Sequence, residues 1–403
     1  MSTFAASRLH DSDHDRNPEP VWQELRDHHP VFYDEIANVF MVTRHADVRR
    51  AFTEAETFSS RVYRKTMGRV FGPTLLELDG ADHVRRRTIV SPLLMGVRLE
   101  AYQELIDEVA QEVLDDAFAD GGPVDVVATI AHRLPVSVIA SMLGLPREDH
   151  GQFFIWYEAM MAGVWVDDEA RRRGRQAADE LKAYIAPMVE QRRITPGDDL
   201  ISRLVHAEEE GERLDPGELG AYVALLLTAG GETTDKSISN LAWLLLTHPE
   251  EAAKALADEA HLDRAFSETM RILPPLIYVG RETLTDVTWH GVEIPAGRGV
   301  RLAIGSANRD ERVYSEPDRF WPDRPDLHQG LERRIAPTTE GRASHLAFGA
   351  GPHFCLGYQL ARYETKKTVE LLLQRLGPGP ITVESPGPIV DGPTRSVREL
   401  VVG

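Results

Sequence analysis

The chain contains one cysteine, Cys355, among its 403 residues. A single cysteine excludes an intramolecular disulfide and a cysteine-rich zinc site, and it is typical of a reducing compartment. Any chemistry that involves sulfur therefore depends on this one thiolate.

Long apolar runs are also missing. The two longest, Tyr222–Ala229 and Leu241–Leu246, are separated by charged residues, and neither reaches the roughly 18 residues that a membrane span requires. The start, Met1–Pro20, is polar and acidic and has no apolar stretch of the kind found in secretory signals. We therefore expect a cytoplasmic protein with no membrane association.

An excess of positive charge is absent as well, since 64 Asp and Glu residues outnumber 45 Lys and Arg residues and the net charge is −19. Nucleic acid is not expected as a partner, because phosphate binding requires a basic surface. No Gly/Ser-rich or Pro-rich linker divides the chain, and no internal repeat is found. We expect one domain over residues 1–403, in a monomer.

What is present is mainly helical periodicity. Apolar residues recur at helical spacing over about 80–273 and again over 355–376. Short strands are predicted within about 20–60, within 277–305 and in the C-terminal tail. The predicted fold class is mainly α with a minor β part, and the β-rich part lies towards the N-terminus.

The longest predicted helix begins at Asp215-Pro216, with proline in the first turn and Glu218 at the third position. No strong stop signal follows until Pro249, so the helix is predicted to run for about 32 residues, or roughly 48 Å. A helix this long and apolar is expected to pass through the middle of the molecule.

The segment around Cys355 carries the most specific pattern, Phe-Gly-Ala-Gly-Pro-His-Phe-Cys-Leu-Gly over residues 348–357. Glycines let the backbone approach a flat ligand closely and adopt positive φ. Cys355 is predicted to lie at the start of a helix, where free N–H groups stabilise a thiolate. A thiolate bound to iron fits this setting best, and a buried structural cysteine is the alternative.

This segment resembles the haem-binding loop of the cytochrome P-450 family of haem-thiolate monooxygenases, and the likeness extends over about residues 18–402. It implies the fold of that family, with the long helix over haem b. It makes Cys355 the axial iron ligand, places Phe348 near the thiolate and Gly357 at the cofactor, and lets His353 reach a haem propionate.

Residues 229–234, Ala-Gly-Gly-Glu-Thr-Thr, lie midway along the long helix. Each interior glycine costs about 1 kcal/mol relative to alanine, which suggests that the backbone there admits a ligand or a kink. Close packing between helices is the alternative. The Thr233 hydroxyl is predicted to donate to the Ala229 carbonyl. By the resemblance, this is an oxygen-binding groove in which Glu232 and Thr233 deliver protons.

Glu268 and Arg271 are spaced to share one helix face. Such a pair is a weak signal alone, since exposed pairs contribute little stability. In the family, the pair is joined by an arginine of a later Pro-x-Arg-Phe segment. Residues 317–320 match that segment, so Arg319 is predicted to complete a structural triad.

The propionates of a buried haem need cations or hydrogen-bond donors. By the resemblance, His83 and Arg87 of an early helix and Arg281 after the Pro-rich turn supply them. His345 is a further candidate.

A basic surface near the thiolate would attract an acidic electron donor, a ferredoxin or a flavodoxin with its reductase, which passes on electrons from NAD(P)H. An ordinary charged helix face is the alternative. The candidate residues of this surface are Arg85, Arg86, Arg362, Lys366 and Lys367.

The substrate is expected to be an apolar small molecule, because the segments that line the pocket in the family are apolar here. Met and aromatic stripes are also typical of an ordinary core. One departure from the family is Asp326–Ser344, which is longer than usual and is predicted to form an exposed loop. The candidate pocket residues are Val70, Phe71, Met160, Met161, Leu226, Ala229, Ile277 and Tyr278.

The predicted function is insertion of one oxygen atom of O2 into such a molecule, by hydroxylation or epoxidation. Two alternatives remain open. A peroxide-driven haem-thiolate enzyme would normally lack the pair formed by Glu232 and Thr233. A non-catalytic haem sensor would retain Cys355 and lose the oxygen-binding groove.

Overall fold

The computed structural model describes residues 4–94, 97–209, 211–328, 341–377, 379 and 381–403. Helices dominate this part of the chain, as predicted. In chain order they are α1 Ser12–Arg16, α2 Glu19–His28, α3 His45–Thr53, α4 Met67–Phe71, α5 Gly80–Val90, α6 Val97–Ala117, α7 Leu134–Met142, α8 His150–Trp165, α9 Asp168–Ile194, α10 Leu200–His206, α11 Pro216–Thr247, α12 Pro249–Ala257, α13 Glu259–Ile272, α14 Ile304–Ala307 and α15 Tyr358–Leu376.

The strands are short. They are β1 Val31–Asp34, β2 Val39–Val42, β3 Phe58–Ser59, β4 Val124–Asp125, β5 Glu208–Glu209, β6 Glu212–Arg213, β7 Tyr278–Thr283, β8 Val287–Trp289, β9 Val292–Ile294, β10 Gly299–Ala303, β11 Val383–Glu384, β12 Pro388–Asp391, β13 Thr394–Val397 and β14 Val401–Val402. The largest sheet has five strands in the order β1-β2-β10-β7-β3. It joins a segment near the N-terminus to one about 260 residues later, because β10 pairs in parallel with β2 and Leu302 lies opposite Val42.

Helix α11 has the bounds that the sequence predicts and is 32 residues long. Its start is fixed by a reciprocal cap: the Glu218 N–H donates to the Asp215 carboxylate at 2.8 Å, and the Asp215 N–H donates to the Glu218 carboxylate at 3.0 Å. Pro249 ends it, because the proline ring disfavours the helical conformation of the residue that precedes it. Most of its side chains from Leu219 to Leu246 are buried within the main apolar core.

The predicted loop Asp326–Ser344 is described only near its two ends. Leu327 and Ala343 are buried and form an isolated parallel bridge. The prediction for residues 329–340 lies outside the described residues.

Within the described part of the chain, no helix combines the length and the apolar character needed to cross a membrane.

Candidate active site

The loop before Cys355 is shaped by two glycines with positive φ, Gly349 at 71° and Gly351 at 70°. A Cβ on Gly351 would lie 2.7 Å from the Phe52 carbonyl oxygen, so the loop packs directly against the end of α3. The Cys355 N–H donates to the Phe348 carbonyl at 2.9 Å, which closes the loop.

The Cys355 thiol lies just before α15 and is only partly buried. Its surroundings raise the pKa of this thiol through burial, while a hydrogen bond from the Gly357 backbone and the charge of Arg87 act in the opposite direction. A thiolate is therefore not stabilised by the protein alone, and a bound metal ion would complete its stabilisation. Nothing lies within 4 Å of the position that a Cβ on Gly357 would take, so space is open beside Gly357.

Phe348 lies in an aromatic cluster beside the same loop. Its ring centroid is 4.9 Å from that of Tyr358 and 6.3 Å from that of Phe266. His345 also packs on Phe348, at 5.9 Å between centroids, and its Nδ1 accepts from the Ala347 N–H at 3.4 Å. These contacts place His345 in the packing beneath the loop.

The other four predicted propionate residues meet in one group, which we call the basic cluster: His83, Arg87, Arg281 and His353. The rings of His83 and His353 are 4.0 Å apart between centroids, which joins α5 to the Cys355 loop. Arg87 donates to the Phe354 carbonyl at 2.6 Å. Arg281 is buried, its charge influences both histidines, and it comes from β7.

Burial dominates the electrostatics of the basic cluster. It lowers the pKa of His83 to about 4, helped by the charges of His353 and Arg87. Burial also lowers the pKa of His353, although a 3.3 Å contact with Asp79 offsets part of the effect. The Nε2 atom of His83 is buried and has no hydrogen-bond partner among the described residues. Buried basic groups in such excess fit carboxylates such as the propionates of haem.

Helix α11 keeps one accessible stripe within an otherwise buried stretch. Leu226, Ala229 and Thr233 follow the spacing i, i+3, i+7, so they share one face, and each keeps accessible surface. The Thr233 hydroxyl donates to the Ala229 carbonyl at 2.8 Å, as predicted. Glu232 lies beside this stripe and forms a 3.3 Å ion pair with Lys236.

The two glycines of α11 provide close packing between helices. A Cβ on Gly230 would lie 2.7 Å from Cδ1 of Ile139, and one on Gly231 would lie 2.7 Å from Cε2 of Tyr157. The alternative explanation from the sequence, packing rather than ligand access, therefore accounts for both glycines. Their neighbour Ala229 is exposed.

Glu268 and Arg271 form a fully buried bidentate pair, with both nitrogen–oxygen distances at 2.8 Å. The third member is Arg324, whose Nε lies 3.0 Å from the Glu268 carboxylate, and we call these three residues the Glu268 cluster. The prediction of Arg319 is wrong: its side chain is 57% exposed and pairs with Glu316.

The backbone explains this correction. The Trp321 N–H donates to Glu268 at 3.0 Å, and a turn bonds the Arg324 N–H to the Trp321 carbonyl at 3.1 Å, which directs Arg324 inwards. Arg319 contributes only its carbonyl oxygen, which accepts from Arg271 at 3.3 Å. The sequence repeats Pro-Asp-Arg at 317–319 and 322–324, so a signal for the second arginine was present.

The five candidate residues of the electron-donor surface are each paired with a carboxylate, so their charges are locally balanced. Arg362 and Lys366 share Asp263. The other pairs are Arg85 with Asp82 and Glu212, Arg86 with Glu218, and Lys367 with Asp107 and Glu370.

The candidate pocket residues separate into three groups. Leu226, Ala229 and Met161 keep accessible surface, whereas Val70, Phe71 and Met160 are buried in the main core. The remaining two belong to an apolar cluster around Trp22, and they are Ile277 and Tyr278.

Tyr278 is a correction to the predicted pocket, because the Trp22 indole donates to its hydroxyl at 3.2 Å. Side chains alternate along a strand, so Tyr278 lies on the face of β7 opposite to Arg281. Ile277, just before β7, is fully buried and contacts Gly305 next to the same tryptophan.

One partly buried contact was missed by the sequence analysis, between His132 and Asp235 at 2.9 Å. These residues are 103 positions apart, so no local spacing indicates the contact.

Comparison with known proteins gives a consistent result. The family model described as Cytochrome P450 matches residues 150–398. Cyclomarin C epoxidase CymV of Salinispora arenicola is 33% identical over 390 residues, 93% of this chain and 94% of that protein. Erythromycin C-12 hydroxylase of Saccharopolyspora erythraea is 35% identical over 358 residues, 88% and 85% of the two chains. The ligand-free structure of cytochrome P450 TbtJ1 has a TM-score of 0.84 at 32% identity, covering 95% of this chain and 96% of that one.

A helix-dominated fold, a cysteine loop beside a basic cluster and close relatives that are hydroxylases and epoxidases lead to one conclusion. The chain belongs to the cytochrome P450 family and is a monooxygenase with a haem-iron cofactor.

Proposed function

We propose that Cys355 binds the iron of haem b as a thiolate and that the basic cluster holds the propionates. The observation that carries this proposal is a partly accessible thiol beside four basic side chains, of which His353 contacts the Asp79 carboxylate at 3.3 Å. The Gly357 N–H would hold the charge on sulfur, and the aromatic cluster around Phe348 would exclude water from it.

The bound haem supplies the activation of O2 and the transfer of one oxygen atom to the substrate. The protein supplies binding, orientation and protons. A thiolate ligand donates electron density to the iron and favours cleavage of the O–O bond. In this chain, the hydrogen bond from Gly357 and the charge of Arg87 would set how much density Cys355 donates.

Thr233 and Glu232 are proposed as the residues that hold and move protons at the open stripe of α11. The Thr233 hydroxyl uses its hydrogen for the Ala229 carbonyl, so its oxygen is oriented and free to accept a second hydrogen bond on the open side. Glu232 is anchored by Lys236 next to that face and would replace each proton that is used.

The substrate is proposed to be an apolar small molecule that undergoes hydroxylation or epoxidation. Leu226 and Ala229 support this, because they give the accessible stripe an apolar surface beside Thr233. The names of the relatives, cyclomarin C epoxidase and erythromycin C-12 hydroxylase, cover both reaction types.

Electrons are proposed to come from NAD(P)H through a reductase and a ferredoxin or flavodoxin, in the cytoplasm. The lone cysteine suits that reducing compartment. Because the five candidate basic residues are paired with carboxylates, docking is proposed to depend on the shape of the surface around the Cys355 loop as well as on charge.

The replacement Cys355→Ser tests the central assignment. The reduced wild-type protein is expected to give a strongly red-shifted Soret band with carbon monoxide, and the variant is expected to lose this band while retaining its circular dichroism. A variant that keeps the red-shifted band would show that another group binds the iron.

The replacement Thr233→Ala tests the oxygen chemistry. It is expected to lower the product formed per reductant consumed by about tenfold or more, since positioned proton donors contribute at least that much. Unchanged yield would favour a role that does not involve activation of O2, and product formed only with added peroxide would favour a peroxide-driven enzyme.

A further inference from the structure

A chain of titratable side chains lies on the side of α11 opposite to its accessible stripe. His132 Nδ1 is 2.9 Å from the Asp235 carboxylate, and His132 Nε2 is 3.7 Å from the Glu158 carboxylate. The Asp235 side chain is 9% exposed and that of Glu158 is 56% exposed. The chain therefore runs from the protein surface to a buried carboxylate on α11.

The local backbone gives His132 its position. It directly follows a π-helical turn, Val127–Ala131, and its N–H donates to the Val127 carbonyl five residues back at 3.0 Å. Such turns are rare and occur frequently at functional sites, where they re-aim a side chain. The ring of Phe154 meets the imidazole edge-on at 4.8 Å and limits its rotation.

The two carboxylates around His132 favour its charged form. The hydrogen bond to Asp235 raises the pKa of His132, burial opposes this, and Glu158 adds to the rise. The imidazole therefore holds a proton more readily than an ordinary histidine near neutral pH, and its two nitrogens face two different carboxylates.

Tyr157 lies against the part of α11 that carries Glu232 and Asp235, which are three residues apart and share one side of the helix. Its ring lies against the backbone of Gly231, and the residue is buried. Burial raises the pKa of the Tyr157 hydroxyl, and the charges of Asp235, Glu232 and Glu158 raise it further. The phenol therefore keeps its proton and lies within the field of the Asp235 and Glu232 carboxylates.

We propose that His132, Asp235 and Tyr157 form a proton relay that carries protons from Glu158 at the surface to Glu232. This inference rests on the proposed role of Glu232 in proton delivery. Monooxygenation consumes O2, two electrons and two protons, and releases one water together with the oxygenated product. Two protons must therefore cross the protein in each turnover.

The steps balance without any further reactant. A proton from solvent binds the Glu158 carboxylate and passes to Nε2 of His132, while the Nδ1 proton moves to Asp235. Asp235 then protonates the Tyr157 oxygen as the phenolic proton leaves for Glu232, and bridging water carries both transfers, because no direct hydrogen bond joins the Tyr157 hydroxyl to either carboxylate among the described residues. The first transfer spans 3.7 Å, which a side-chain rotation or one bridging water closes.

Two variants interrupt the relay with little change in shape, Asp235→Asn and Tyr157→Phe. Turnover is measured with reductant and, separately, with hydrogen peroxide, which brings its own protons and electrons. The ratio of reductant-driven to peroxide-driven product is expected to fall by about fivefold or more in both variants, with a larger solvent isotope effect, because proton transfer becomes slower.

The matched control is His261→Gln, which removes a similar histidine–carboxylate contact, 2.8 Å from Glu251, between α12 and α13. In this control, the ratio of reductant-driven to peroxide-driven product is expected to stay within about twofold of the wild type, because His261 lies outside the relay. Loss of a proton-transfer group typically changes rates far more than twofold. Relay variants that match this control would show that the pair of His132 and Asp235 is only structural and would overturn the proposal.

A measurement that does not depend on turnover complements the kinetics. In the ferrous carbon monoxide form with labelled histidine, the NMR titration of His132 is expected to give a pKa above the ordinary 6.5, and Asp235→Asn is expected to bring it below that value. An unchanged titration would contradict the coupling. A wild-type protein that forms no product with reductant would instead contradict the proposed function, and the relay with it.

Discussion

The Glu268 cluster and the basic cluster are both buried and both rich in arginine, but they differ in charge balance. In the Glu268 cluster, one carboxylate is bound by two arginines and a backbone N–H, all within the protein. The basic cluster brings together two arginines and two histidines, and the Asp79 carboxylate contacts His353 at 3.3 Å. The difference indicates that the first cluster is complete as folded, whereas the second is built to receive anionic groups.

The physical reason is the cost of burying charge. Burying an ion pair removes its hydration, which costs free energy. That cost is offset only where every charged atom has an ion-pair or hydrogen-bond partner in the protein. Glu268 and Arg271 achieve this, with Arg271 also donating to the carbonyls of Asn308 and Pro317 at 2.9 and 2.8 Å. In the basic cluster, burial lowers the pKa of Arg281 and of both histidines. Burying their positive charge therefore costs folding free energy, and binding of anionic groups such as haem propionates would offset that cost.

The largest expected effect is that of Glu268→Ala. It removes the carboxylate that pairs with the buried Arg271 and one of the two that pair with the buried Arg324, which also contacts Asp326 at 2.6 Å. The loss costs about 3–5 kcal/mol of unfolding free energy. Denaturant unfolding of the holoprotein measures this loss. The control Glu316→Ala, in an exposed pair with Arg319, is expected to cost less than about 1 kcal/mol, and equal losses would remove the distinction between a buried and an exposed pair.

The next largest effect is a difference between the two clusters in how an arginine replacement changes haem retention and haem-free stability. Arg281→Met is expected to weaken haem retention by about tenfold or more, as a lost hydrogen bond to a charged group does. It is expected to leave the stability of the haem-free protein unchanged or higher, because a costly buried charge is gone.

The matched variant Arg271→Met is expected to destabilise the haem-free and haem-bound forms alike. Haem transfer to apomyoglobin and denaturant unfolding provide the two measurements. Loss of haem-free stability in Arg281→Met would contradict the comparison.

The basic cluster is also expected to make the stability of the folded protein depend on pH, through His83. The pKa of His83 is about 4 in the folded protein against an ordinary 6.5, so the unfolded chain binds more protons between these values. Its contribution is complete above about pH 6.5 and is lost as the pH falls towards 4, on the order of 2 kcal/mol. Unfolding of the haem-free protein across this range measures the slope, and His83→Asn is expected to flatten it. A slope that persists in this variant would assign the acid sensitivity to other groups.

The smallest expected effect tests the corrected triad. Arg319→Ala is expected to change the unfolding free energy by less than about 1 kcal/mol, because its side chain is exposed. Arg324→Ala is expected to cost several times more, since Glu268 loses a buried partner. Thermal unfolding of both variants compares them, and the reverse order would restore Arg319 as the third member.

Local patterns predicted the elements that depend on local physics. The bounds of α11 followed from a capping residue, a proline in the first turn and a proline after the end, all of which act within one turn. The three-residue spacing of Glu268 and Arg271 correctly predicted that they lie on the same side of one helix. The four-residue spacing of Ala229 and Thr233 correctly predicted the hydrogen bond from the Thr233 hydroxyl to the Ala229 carbonyl.

Contacts between distant segments were not predictable in the same way. Two Pro-Asp-Arg segments compete for Glu268, and only the turn that starts at Trp321 selects Arg324. The two glycines of α11 look the same in the sequence whether they make room for a ligand or for a neighbouring helix. The structure shows Ile139 and Tyr157 in that position.

The sequence by itself determined the family likeness, the long helix and the loop around Cys355, because glycine, proline and cysteine constrain the chain at short range. Only the tertiary structure decided which arginine joins Glu268, where Tyr278 points and that His132 meets Asp235. Those outcomes depend on which surfaces of remote elements are buried together, and burial sets the free energy of every charge involved.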